Sequence, residues 1–451
     1  MVNNLLKAYV VAVDMGYGHQ RAAFPLLDIA TTPKEWNIKE PMIISVNDYP
    51  NMPVTDRKRW VDTQKRYEKV SRMNSIPFIG QIIFKIMDYF QSIENFYPRR
   101  VLSRPTLQCK RTYKAIKNGF GKHLIDVLNL NPLPLICTFF ISAILAEGHG
   151  YKGKIYCLCT DTDISRAWVP FNSQDSKIIY LAPTIRVRER LLLYGVKANN
   201  IIVTGFPLPV EVIDGVTDQA ILRKSLANRI QHLDPDGLYQ NKYKPLISSY
   251  LKIKPDLIGE RPLTITFAVG GAGAQWKIGF DLLKSLRELI ISKRIKLNLV
   301  AGTSKDILHK FEIAIGSMRL KDFCPDNLNI IYDEDKFNYF RKFDKALISS
   351  DILWTKPSEL SFYTGLGLPI IMAPTLGSQE MANREWLQLL GAGFDQKDPR
   401  YANEWLFDLL KSGSLAQAAM NGFLRVPKDS VTIIKNVVLH NIFSESNNLS
   451  L

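Results

Sequence analysis

Gly16-Tyr17-Gly18-His19 is the first stretch of the chain whose residue types could do chemistry. Glycines in a turn let backbone N–H groups approach a ligand closely, and a helix opening just after them favours negative charge. A histidine there is a candidate general base, because its ordinary charge change lies near neutral pH. The same residues also read as a tight turn with a capping histidine. A second string, Gly270-Gly271-Ala272-Gly273-Ala274, follows TITFAV and again precedes a helical pattern. It could hold a diphosphate through N–H groups and the helix dipole. It lacks the Lys-Ser/Thr ending of a P-loop and the spacing of the dinucleotide fingerprint, so neither ATPase nor NAD chemistry is supported. The third group is polar: Thr355-Lys356-Pro357-Ser358-Glu359, then Gly365 to Pro369, then Gly377-Ser378-Gln379-Glu380 with Asn383. Its amides and carboxylates suit sugar hydroxyls, while a helix capping box is the competing reading and the favoured one for Glu380 taken by itself.

The elements that must position these residues alternate. The pattern predicts strands in AYVVAVD (Ala8 to Asp14), MIISVND (Met42 to Asp48), LPLICTFF, KIYCLCTD (Lys154 to Asp161), KIIYLAP and NIIVTGF, with helices at Arg21 to Ala30 and in TIRVRERLLLYG. A second set runs LTITFAV, a helix over 278–293, KLNLVAG, NLNIIYD, DKALISSDILWT and LPIIMAP, with helices from Asn383 and Glu404. Alternating strands and helices imply α/β architecture with mostly parallel sheets. Between the sets, residues 209–262 are polar and punctuated by proline, as in a connection carrying an insertion. The expected division is 1–208, 209–262, 263–429 and a C-terminal helix or tail at 430–451, the helix returning to the first domain. No repeat at periods of 20 to 50 residues is visible, unless the two domains are a distant duplication.

Length agrees with two domains, since 451 residues exceed the roughly 250 to 300 at which a single core stops growing. With 46% hydrophobic and 22% charged residues, the chain is neither collagen-like nor wholly disordered. Its net charge of +15 is concentrated: residues 55–125 hold 16 Lys or Arg against 5 acids. A basic surface of that kind fits an anionic partner. Within it, residues 76–90, IPFIGQIIFKIMDYF, read as an amphipathic helix with cationic flanks that could lie on an anionic membrane; the competing reading is a buried helix with solvated flanks. Nucleic acid is disfavoured, because no zinc spacing, RNP string or basic recognition helix occurs.

Cys109, Cys137, Cys157, Cys159 and Cys324 form no disulfide framework, and no signal peptide opens the chain, so the protein reads as cytoplasmic and reduced. The longest apolar run, Leu133 to Leu145, falls short of the roughly 18 residues of a membrane span, leaving peripheral association. No metal is expected. Cys157 and Cys159 read as core thiols, and Asp161 and Asp163 lack EF-hand spacing.

Taken in order, these strings resemble the GT-B glycosyltransferases, in the group that holds peptidoglycan's lipid-intermediate GlcNAc transferase, monogalactosyldiacylglycerol synthase and processive diacylglycerol glucosyltransferase. VDMGYGHQRAA looks like the group's glycine turn with its histidine, TDTDISRAWV like its "TD…W" segment, and IIVTGFPLP like its "GxP" strand end. GGAGA matches the second-domain phosphate loop, while DILWTKPSELSF, GLGLPIIMAP and GSQEMANREWLQLLGAGF resemble the donor-binding region. The resemblance implies two Rossmann-like domains facing a cleft, a nucleotide-sugar donor of the UDP type on the second, a lipid acceptor on the first, and no metal cofactor. It implies that Gly271, Ala272, Gly273 and Ala274 face the diphosphate and that Gln379 and Glu380 face the sugar, with Asn383 supporting that loop. Lys356, Ser358 and Glu359 fall in the donor loop, Gly16 and Gly18 in the first glycine turn, and His19 or Asp161 would take the acceptor proton.

The chain departs from the pattern twice. Phe362 stands where the family carries a glutamate for the ribose hydroxyls, with Glu359 the nearest acid, and Ser165 stands where the "TD…W" segment carries histidine. These departures motivate one alternative, a catalytically silent GT-B fold that binds nucleotide or lipid. Another is a nucleotide-sugar epimerase or hydrolase.

Overall fold

The computed structural model describes residues 6–73, 92–215, 218–252, 261–268, 273, 275–375 and 377–442. The apolar segment 76–90 and Gly271, Ala272 and Ala274 lie outside them.

The first set of strands is β1 (Tyr9–Ala12), β2 (Ile44–Ser45), β3 (Leu135–Cys137), β4 (Ile155–Leu158), β5 (Ile179–Ala182) and β6 (Ile201–Val203). They pair in parallel in the order β2-β1-β3-β4-β5-β6. All of β1, β3 and β4 is buried, which is why these strands read as continuous apolar runs instead of alternating ones. The apolar stretch Leu133 to Leu145 divides into β3 and the helix Phe140–Gly148. After β1 the expected long helix is a short one, Gly18–Ala23, continued by a 3-10 segment Phe24–Ile29 with proline near its start. Proline has no N–H for an α-helical hydrogen bond and clashes in a helix interior, so the helix stops there.

The second set is β7 (Leu263–Ala268), β8 (Ile295–Gly302), β9 (Leu328–Tyr332), β10 (Ile352–Thr355), β11 (Ile370–Met372) and β12 (Gly393–Asp395). The order is β12-β11-β10-β7-β8-β9, again all parallel. The helix expected over 278–293 is two helices, Trp276–Ser285 and Arg287–Ile291, and DKALISS is the end of a helix, Lys336–Ser349, ahead of β10. The three-residue strand β12 was not legible, being too short to show a period.

Contacts divide the chain into two compact units: 1–208 with 376–383 and 429–451, and 209–375 with 384–428. Residues 209–262 therefore belong to the second unit. Most of the stretch is helical, Ala220–Leu233 and Leu238–Leu251, and it is tied down by buried polar groups. Arg229 donates to the carbonyls of Leu347, Ser350, Leu366 and Gly367. Asp351 takes both arms of Arg261 at 2.6 and 2.7 Å, the Thr264 N–H, and His232. Burial alone would raise the Asp351 pKa; the His232 and Arg261 hydrogen bonds overcome that and hold it below its ordinary value. The helix Ser430–His440 packs in the first unit, with Lys435 paired to Asp28 at 2.6 Å and Lys154 bonded to Asn441. Among the described residues no helix is long and apolar enough to cross a membrane.

Candidate functional site

Strand order decides where loops from distant parts of the chain meet. In a parallel sheet every carboxyl end lies on one edge, and ligands bind where the order reverses direction. In the first sheet that point is between β1 and β3; in the second, between β7 and β10.

At the first switch point the chain leaves β1 and turns at Gly16, whose φ of +93° suits glycine. His19 lies in the first turn of the short helix that follows, and its Nδ1 sits 2.6 Å from the Thr138 carbonyl, just past β3. A carbonyl oxygen only accepts, so Nδ1 carries the proton and Nε2 holds the lone pair. The ring packs on Phe139, 4.8 Å between centroids, and near Trp168 at 6.3 Å. Burial pushes the His19 pKa down to about 4 against the opposing pull of the Thr138 carbonyl. At neutral pH the ring is uncharged and can accept a proton.

Two strands further, the segment after β4 is held from several sides. Thr184 Oγ1 donates to the Thr162 carbonyl, Arg190 grips Asp163 through two hydrogen bonds of 2.7 and 2.8 Å, and Tyr194 donates to the Ile164 carbonyl. Arg166 is buried and donates to the carbonyls of Ser103, Val169 and Pro170. Ser165 is buried within this frame. The fixed loop carries Asp161, which accepts from Asn383 Nδ2 at 3.1 Å, while Asn383 Oδ1 accepts the Thr162 N–H at 2.9 Å. Asn383 is fully buried. Two residues singled out separately in the sequence thus form one clamp. Gln379 and Glu380, half-buried, open the same helix, Ser378–Leu390; they and Asn383 belong to the first unit.

In the second unit, Gly273 has φ +63°, and a Cβ there would lie 3.0 Å from Ile307. The helix Trp276–Ser285 follows. Gln275 Nε2 donates to the Pro374 carbonyl at 2.9 Å, tying the loop after β7 to the one after β11. Lys356 and Ser358 leave β10, the neighbour of β7, and Glu359 begins the 3-10 segment Glu359–Leu366. Gly273, Lys356, Ser358 and Glu359 therefore share the carboxyl edge of adjacent strands. Phe362 is buried against Trp386, 5.2 Å between ring centroids, so its position holds a core side chain, while Glu359 is partly exposed. Cys137, Cys157 and Cys159 are buried, with their thiol pKa values raised by burial. Among the described residues no cluster of three or more His, Cys, Asp or Glu side chains could hold a metal ion.

Thr138 and Phe139 also surround His19 but carried no sequence signal, whereas Thr160 opens the TDTDISRAWV string. Thr138 and Phe139 sit inside an apolar run, and only the strand order brings them beside β1.

Residues 257–424 match a family described as a domain of unknown function (DUF6938). No curated protein matches the chain. Among solved structures it is similar to S. aureus MnaA with UDP, at 12% identity and a TM-score of 0.47 over 97% of this chain and 96% of that one. It is also similar to Acinetobacter baumannii MurG, at 12% identity and a TM-score of 0.45 over 97% and 100%. A third is UDP-GlcNAc 2-epimerase from Neisseria meningitidis bound to UDP-GlcNAc, at 14% identity and a TM-score of 0.43 over 75% and 83%. The α/β architecture of two parallel six-stranded sheets, which the GT-B expectation requires, stands on the topology itself.

Proposed function

We propose that the chain is a glycosyltransferase that moves a sugar from a nucleotide diphosphate sugar, of the UDP type, to a hydroxyl of a membrane-associated lipid. The observation that carries this reading is the uncharged His19 at the switch point of the first sheet, its proton fixed on Nδ1 by the Thr138 carbonyl. In this reading Nε2 takes the proton of the acceptor hydroxyl as that oxygen bonds to the anomeric carbon. The bond from that carbon to the diphosphate oxygen breaks, and the nucleoside diphosphate leaves. Gly273 and the N-terminus of the helix Trp276–Ser285 stabilise its charge. Asp161, oriented by Asn383, positions the acceptor, and Glu359 offers a carboxylate to the ribose in place of Phe362.

Isothermal titration with UDP, GDP and ADP, repeated on Gly273→Trp with its melting curve as a folding control, tests the donor site. Selective binding of one nucleotide that the folded variant loses supports it; no binding to any nucleotide overturns it. Release of UDP from a UDP-sugar that rises on adding a lipid extract supports the transferase reading, whereas release or isomerisation independent of acceptor points to hydrolase or epimerase chemistry.

A further inference from the structure

A cavity of about 590 Å³ lies in the first unit between the helices Val54–Met73 and Leu107–Lys117. Residues 55, 58, 59, 60, 62 and 63 line it from the first helix, and 111, 112, 114 and 115 from the second, with Asn118 just past its end. Most of each set falls at the i, i+3, i+4 spacing of one helical face, so the two helices flank the groove. Lys58, Arg59, Arg111 and Lys114 supply four cations against the single carboxylate of Asp62. Trp60, Ala115, Phe120 and Ile141 form the apolar part of the lining, with the Trp60 and Phe120 rings 5.3 Å apart, and Thr55, Thr63, Thr112 and Asn118 are its neutral polar members. Arg59 lies over Phe120 at 5.0 Å. The volume falls within the range of small-molecule pockets. One ring separates the groove's Trp60 from the candidate base: Trp60 packs on Phe139 at 6.4 Å, and Phe139 packs on His19 at 4.8 Å.

We propose that this groove seats the phosphate-bearing headgroup of an anionic lipid, its phosphate among the four cations and the first carbons of its chains against Trp60, Phe120 and Ile141. A purely polar anion leaves the aromatic floor unused, and a neutral lipid leaves the cations unused; an anionic amphiphile satisfies both. The assignment deepens the lipid-acceptor reading and rests on it only for the ligand's role in the reaction.

The test is isothermal titration of the full chain with dihexanoyl phosphatidic acid, dihexanoyl phosphatidylcholine and inorganic phosphate. Phosphatidic acid is expected to bind tightest. Neutralising two cations in Lys58→Gln/Arg111→Gln should weaken it by about tenfold or more, since each removes a charge-assisted contact. Both side chains are exposed, so the melting temperature should hold; Arg59→Gln/Lys114→Gln is the second pair if it does not. Equal affinity for inorganic phosphate overturns the proposal in favour of a free-anion site. Equal affinity for phosphatidylcholine, unchanged binding in both folded variants, or no binding by any ligand also overturns it. A chain that binds the lipid but never turns over a nucleotide sugar loses the transferase reading and keeps this pocket; an active enzyme that binds no anionic lipid loses the pocket alone.

Discussion

Replacing His19 with asparagine isolates the consequence of a half-buried, uncharged imidazole. Asparagine can place its Nδ2 close to where the histidine Nδ1 lies, keeping a donor for the Thr138 carbonyl while removing the titrating ring. Burial lowers the histidine pKa from 6.5 to about 4 in the folded chain. With a depressed folded value, the unfolded chain binds more protons than the native one between these two pKa values, so this contribution to stability is whole above 6.5 and is lost as pH falls towards 4. Linkage over that gap amounts to about 2 kcal/mol by pH 5 and about 3 kcal/mol by pH 4. Urea unfolding of wild type and His19→Asn, run from pH 7.5 to 4.5, reads the difference directly. Wild type should lose about 2.5 kcal/mol more than the variant across the window. Parallel stability curves would refute the half-buried neutral ring. Activity supplies an independent reading. The acid limb of kcat/KM, which reports free enzyme, should fall near the folded value and not at 6.5.

Asn383→Ala removes the partner of the Thr162 N–H and the donor to Asp161; the buried part should cost about 1–3 kcal/mol, lowering the melting temperature and cutting turnover more than nucleotide affinity. Arg229→Met leaves four carbonyls without their buried donor and should destabilise the second unit by about 3 kcal/mol or more, seen as an earlier melting transition, with no direct effect on the His19 titration. Phe362→Glu buries a charge against Trp386, and should cost several kcal/mol, on the order of a buried unpaired ion, without improving UDP affinity; a stable variant with tighter UDP binding would show that the side chain can turn outward.

The sequence by itself determined what is local. Continuous apolar runs marked buried parallel strands, and glycine turns marked where chains leave them, because backbone hydrogen bonding and side-chain period act over a few residues. It also revealed two rounds of alternating strand and helix, and with them two Rossmann-like units. Boundaries shifted where a local rule competed, as at Pro25, which converts the first helix into a 3-10 segment. Only the tertiary structure decided which loops share an edge. His19 and Thr138 are 119 residues apart, and Asp161 and Asn383 are 222 apart. Nothing in either neighbourhood encodes its partner, since the partner is fixed by strand order. The tautomer and lowered pKa of His19 follow from that packing, as does the burial of Phe362 and the absorption of residues 209–262 into the second unit through Arg229 and Arg261. Residue types can nominate a base or a donor loop; a pKa, a buried clamp or a cation-lined groove exists only after distant elements have packed, because desolvation and hydrogen-bond geometry are properties of the assembled neighbourhood.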